Sequence, residues 1–146
     1  MFMKERERRA FILDRDEFFR LSLNKILKKY GFEVEEIEDF SQLEGRSKEI
    51  KGGMILADVE IDVLEKSHPF IKKWNDRFIF MSPLITDDLA FRLKKMGIQR
   101  VIKKPVEPKM LRKMIKGISF PNGERNFSLS KKWETSRFVQ KGGDGK

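Results

Sequence analysis

"FILDRDEFF", residues Phe11 to Phe19, passes from an apolar run straight into a charged turn. The apolar run, Arg9 to Leu13, is bounded by charge and shows no alternation, which fits a short strand buried on both faces. Asp14 closes it. Asp16 stands where a carboxylate accepts a hydrogen bond from the first turn of a helix. From there Phe19, Leu23, Ile26, Leu27 and Tyr30 recur at helical spacing and Gly31 offers a stop, so the spacing predicts an amphipathic helix of about four turns. A buried strand followed by a polar turn and an amphipathic helix is the unit from which parallel sheets are built.

The unit recurs along the chain. "FEVEEIE" from Phe32 alternates as a strand does, and "SQLEGRSKEI" predicts a weaker helix beginning at Ser41 with Gly45 inside it. "GGMILADVE" is a second buried strand closed by Asp58, and "DVLEKSHPFIKKW" suits a helix that Pro69 kinks or restarts. "RFIFMS" is a third buried strand ending at Ser82, and "TDDLAFRLKKMG" is a helix capped by Thr86 or Asp87 and stopped at Gly97. "QRVIK" gives the last strand, before Lys104 and Pro105. "EPKMLRKMIKGI" gives the last helix, with Leu111, Met114, Ile115 and Ile118 on one face. The order βαβαβαβαβα with short connections implies an α/β fold, a doubly wound five-stranded parallel sheet with helices on both faces. Residues 1–120 form this domain. Residues 121–146 change in composition to six basic and three acidic side chains without a period, and read as a basic C-terminal tail or linker. Within it "KWETSRFV" suits one short strand or helix, and Trp133 is an anchor either for a partner or for the tail itself.

Composition removes several function classes. The 146 residues contain no cysteine and a single histidine, His68, which excludes cysteine-based metal sites and histidine-rich ones and leaves any chemistry to carboxylates, lysines and hydroxyls. His68 reads as a surface or helix-end residue and Trp74 as packing. No run of eighteen apolar residues is present and the N-terminus is charged, so a soluble, cytoplasmic protein without a membrane partner is expected. The net charge is +9, and Arg92 to Lys116, with ten Lys or Arg against the one acid Glu107, accounts for all of it. Such a block is either a solvated helical face or a docking face for an acidic partner or nucleic acid.

In a doubly wound sheet, chemistry collects beyond the carboxyl ends of the strands. Those ends are Asp14, Asp58, Ser82 and Lys104 followed by Pro105. No Gly-rich turn follows the first strand, which argues against a nucleotide cofactor. Two carboxylates, a hydroxyl and an ammonium suit one phosphoryl group: a carboxylate to take it, oxygens to hold a divalent cation, and Lys and Ser for the equatorial oxygens.

With these four residues in this order, the span from Arg8 to Ile118 resembles a response-regulator receiver domain of two-component signalling; "GIQRVIKKPV" matches the family's run into Lys-Pro. The resemblance implies a flavodoxin-like strand order, 2-1-3-4-5. It implies that Asp58 accepts a phosphoryl group from a phosphohistidine on a histidine kinase or histidine phosphotransfer protein. Asp14, Asp58 and the backbone carbonyl of Glu60 would hold Mg²⁺, while Lys104 and Ser82 would contact the phosphoryl oxygens. The response would reshape the face built by residues 86–97 and 109–118, the basic stretch itself, for a downstream protein or a second copy. An enzymatic output of its own is not expected.

Three positions depart from the family pattern. Arg15 stands where the family carries a second acid, and a guanidinium cannot ligate Mg²⁺; Pro83 and Val101 replace a small residue and an aromatic. Arg15 either lies over Asp58 in the metal's place, or points to solvent or pairs with Asp16 or Glu17, leaving a poorer Mg²⁺ site. Phe18 and Leu21 read as core in preference to a contact surface for the histidine partner. Two alternatives follow: a phosphorylation-independent receiver acting by shape alone, or a nucleic-acid-binding regulator using residues 92–116 and the tail.

Overall fold

Strands buried on both faces need helices above and below them, and the computed structural model, which describes residues 8–121, supplies both layers. The strands are β1 (Arg8–Asp14), β2 (Phe32–Glu36), β3 (Met54–Asp58), β4 (Phe78–Ser82) and β5 (Arg100–Lys103), all parallel, in the order β2-β1-β3-β4-β5. The helices are α1 (Glu17–Lys29), α2 (Ser47–Lys51), α3 (Ile61–Lys66), α4 (His68–Trp74), α5 (Asp87–Lys95) and α6 (Pro108–Lys116).

Because successive side chains on a strand point to opposite faces, each central strand feeds two cores. Ala10, Ile12, Leu56, Ile79 and Met81 pack with Leu23 and Leu27 of α1 and Leu111 and Ile115 of α6. Phe11, Leu13, Ile55, Ala57, Phe78 and Phe80 pack on the other side with Ile50, Leu64, Ile71, Trp74 and Leu93 from α2 to α5. The layers thus follow from the strand sequences. Among the described residues no helix is long and apolar enough to cross a membrane.

The helix starts follow their caps. Asp16 accepts from the Phe19 N–H at 3.1 Å, and Thr86 rather than Asp87 caps α5, accepting from the Leu89 N–H at 3.1 Å. Two expectations need correction. The stretch from Ser41 is not one helix: Asp39 caps a 3₁₀ turn over Phe40–Leu43, Gly45 takes φ +77°, and α2 starts only at Ser47. Phe18 and Leu21 are not core; they are 83% and 58% exposed, because the inward stripe of α1 runs through Leu23 and Leu27 and leaves both on the far side. Pro69 restarts the helix, lying in the first turn of α4 after the break at Ser67. His68 is exposed at the start of that helix and Trp74 is buried at its end.

Two arginines fasten the end of the domain to the amino ends of the strands. Buried Arg77 donates from Nη1 to the Gly53 carbonyl at 2.7 Å and from Nη2 to the Ser119 carbonyl at 2.6 Å. Arg100 donates to the carbonyls of Asp76 at 2.9 Å and Gly117 at 2.8 Å. Phe120 is buried, its ring centroid 5.9 Å from that of Phe32 and covered by the guanidiniums of Arg8 and Arg77. The proposed tail after Pro121, including Trp133, lies outside the described residues.

Candidate functional site

Parallel register brings the strand ends together. Asp14 pairs with Asp58 across β1 and β3, and Ser82 pairs with Lys103 across β4 and β5, so Lys104 leaves the sheet on the same edge as both acids. Its backbone N–H donates to the Ser82 carbonyl at 2.9 Å, and its peptide bond to Pro105 is cis.

From there Nζ of Lys104 reaches both carboxylates, donating to Oδ2 of Asp14 at 2.9 Å and to Oδ2 of Asp58 at 2.6 Å. The two acids are not equivalent. The Asp14 side chain is 3% exposed and its Oδ1 accepts from the Asp16 N–H at 2.9 Å; the Asp58 side chain is 23% exposed, so it is the carboxylate that a reagent can reach. Burial works against the Lys104 ammonium, but the hydrogen bonds and charges of Asp14 and Asp58 outweigh it and hold its pKa above the ordinary value.

Two contacts at this site were not read from the sequence. The Phe19 ring lies against Lys104, with Nζ 4.1 Å from the ring centroid. Arg20 donates from Nη1 to the Asp14 carbonyl at 2.6 Å and from Nε to Glu36 at 3.3 Å, tying α1 to the ends of β1 and β2. The sequence signal for both is only their place in the first turn of the helix that follows Asp14.

A cleft of about 790 Å³ opens beside the pair, lined by Asp14, Arg15, Asp58, Glu60, Ser82 and Lys104 among others. The Ser82 hydroxyl lines it but is engaged in its own loop, donating to the Leu84 carbonyl at 3.0 Å and accepting from the Leu84 N–H at 3.3 Å. Arg15 is exposed at the rim and makes no hydrogen bond or ion pair with any described residue. Of the dispositions open to it, pointing to solvent is the one found; contact with Asp58, Asp16 or Glu17 is not.

The donor set does not fit a resident Mg²⁺, which needs octahedral oxygens at close range. Both oxygens of Asp14 and one of Asp58 already hold N–H donors, and the Glu60 carbonyl accepts the first-turn bond of α3 from Val63 at 2.9 Å. Among the described residues no three acids or histidines converge as a metal-holding group.

The basic face is built by α5, β5 and α6. Arg92 is held internally by Glu65, at 2.6 and 2.9 Å, and by Asp62 and Asp88, while Arg100 serves the backbone as described. Lys94, Lys95, Lys103, Lys109 and Lys113 remain exposed around the apolar Phe91 and Met110, which are 60% and 44% exposed. Val101 is half-buried in β5 against the core.

No protein-family model matches this chain, and no curated protein sequence does. Solved structures do. The chemotaxis response regulator CheY4 of Vibrio cholerae matches over 75% of this chain and 97% of its own, with a TM-score of 0.59 at 16% identity. A response regulator from Thermotoga maritima matches over 75% and 95%, with a TM-score of 0.62 at 19% identity. A CheY-like response regulator receiver domain protein from Methanospirillum hungatei matches over 86% and 98%, with a TM-score of 0.57 at 25% identity.

Proposed function

We propose, from a chain that has the receiver fold of response regulators, that Asp58 accepts a phosphoryl group from a phosphohistidine and that the domain signals by protein contact rather than by catalysing a reaction of its own. The supporting observation is the Lys104 ammonium shared between buried Asp14 and the more open Asp58 at the cleft floor. An Asp58 carboxylate oxygen attacks phosphorus, the bond from phosphorus to the imidazole nitrogen breaks, and its electron pair stays on that nitrogen, giving an acyl phosphate and a histidine. Lys104 meets the charge on the phosphoryl oxygens. Ser82 contributes once its hydroxyl leaves Leu84, drawing the loop after β4 inward. Arg15 adds positive charge at the mouth, and no step runs through Mg²⁺.

The donor is a histidine kinase or a histidine phosphotransfer protein, and the exposed Phe18 and Leu21 on α1, the helix that follows Asp14, give it an apolar footing. The recipient of the signal is an acidic protein surface, or a second copy, meeting the lysines of α5, β5 and α6.

Incubation with acetyl phosphate, read by intact mass, tests the proposal. One phosphoryl adduct is expected, absent from Asp58→Asn; no adduct with or without Mg²⁺ would leave the phosphorylation-independent reading in its place. Arg15→Asp places an acid next to Asp14 at the cleft rim and is expected to raise the adduct yield severalfold, with a dependence on Mg²⁺ that is not expected of the unaltered protein. An unchanged yield would place Arg15 outside the reaction.

A further inference from the structure

We infer that Phe19 is a positioning residue for Lys104, its ring face holding the ammonium between the two carboxylates. The reaction this serves is the one proposed above, so that part rests on Asp58 being the phosphoacceptor. An ammonium has three N–H donors and no acceptor. Asp14 and Asp58 take two of them at 2.9 and 2.6 Å, and the side of Nζ that remains faces the Phe19 ring at 4.1 Å, within the range where a ring's quadrupole attracts a cation. The Lys104 side chain is 11% exposed, so little water competes for that side.

The ring is itself fixed by the segment that supplies the carboxylate. Asp16 caps α1 by accepting from the Phe19 N–H, and the Asp16 N–H donates in turn to Asp14. Phe19 packs on the core of Leu23 and Leu111, unlike its neighbour Phe18, which faces solvent. Residues 14–19 thus deliver an acid, a helix cap and an aromatic face to a lysine that arrives from the far edge of the sheet. A consequence concerns the transfer step. With every donor of Lys104 committed, an incoming phosphoryl oxygen is received only as a carboxylate bond is released, and the ring keeps the ammonium in place while that exchange occurs.

The first test does not depend on phosphorylation. Exchange of the Lys104 ammonium hydrogens with water, followed by NMR of ¹⁵N-labelled lysine in mildly acidic buffer, is expected to be slow in the unaltered protein and in Phe19→Tyr. It should be about fivefold faster or more in Phe19→Leu and Phe19→Met, the second keeping a long, polarisable apolar side chain but not the π face. Leu and Met variants that exchange as the parent does, or a Tyr variant as fast as Leu, would overturn the positioning role. The second test is the rate of adduct formation from acetyl phosphate, expected to fall about fivefold in Leu and Met and to be retained in Tyr. An unchanged rate in both apolar variants would remove the ring from the transfer step. A parent protein that takes no adduct would refute the phosphoacceptor reading while the exchange measurement still decides the position of Lys104.

Discussion

Gly53→Ala should destabilise the protein by about 3 kcal/mol, through overpacking at a point where nothing can yield. A Cβ at Gly53 would lie 2.0 Å from the Arg9 carbonyl oxygen and 2.9 Å from its carbon, both of them backbone atoms of β1. Moving that carbonyl disturbs the pairing of Ala10 with Met54, and moving Gly53 disturbs the Arg77 bond to its carbonyl. Gly52 is the control: a Cβ there meets nothing nearer than 3.7 Å, so Gly52→Ala should change stability by less than about 1 kcal/mol. Urea denaturation of the two variants beside the parent gives the comparison. A Gly53→Ala midpoint equal to that of Gly52→Ala would mean that β1 and β3 enter the sheet less closely than described.

The second large effect belongs to Lys104→Met. Removing the ammonium leaves Asp14 and Asp58 facing one another with no cation between them, and breaking a buried pair from one side costs about 3 kcal/mol, reduced here toward 2 by the exposure of Asp58. The loss should carry the pH dependence of the ammonium that the variant lacks. Lys104 has a folded pKa raised above 10.5, so its contribution is fully present below pH 10.5 and is lost as the pH rises through the higher folded value. The same variant should lower adduct formation on Asp58 by about a hundredfold, the scale for removing one charge-stabilising donor. Denaturation midpoints across pH, with intact mass on the same samples, measure both; a pH-independent loss of stability would mean that Lys104 acts by packing and not by charge.

The sheet was legible because its central strands are apolar runs closed by a polar residue, and the candidate site was legible because those closing residues share one edge. Asp14, Asp58, Ser82 and Lys104 needed no contact information to be found. Periodicity failed where one side chain had to be told from its neighbour: Phe18 and Phe19 are both apolar at the start of α1, and only the stripe through Leu23 and Leu27 turns one inward. It failed again at Gly45, where a positive φ divides what reads as one weak helix. The Phe19 contact with Lys104 joins residues far apart in sequence, and no local pattern encodes it. Arg77 opens a stretch that reads simply as a strand, and its burial depends on carbonyls contributed by Gly53 and Ser119. Arg15 shows the opposite limit, since a long exposed side chain with no described partner has no position that a neighbouring residue dictates.

The clasp of Arg77 and Arg100 on residues 117–120 bears on how this protein can be handled. It pins the chain at the amino ends of the strands, while Asp58 sits at their carboxyl ends, a strand length of roughly 17 Å away. The described chain therefore leaves the sheet at Pro121 on the side away from the cleft, and a fluorophore, surface tether or reporter placed directly at that point would be moored there. An attachment ahead of Arg8 would share that side, which suits immobilised binding measurements in which the cleft, α1 and the lysine face must all stay open to a partner.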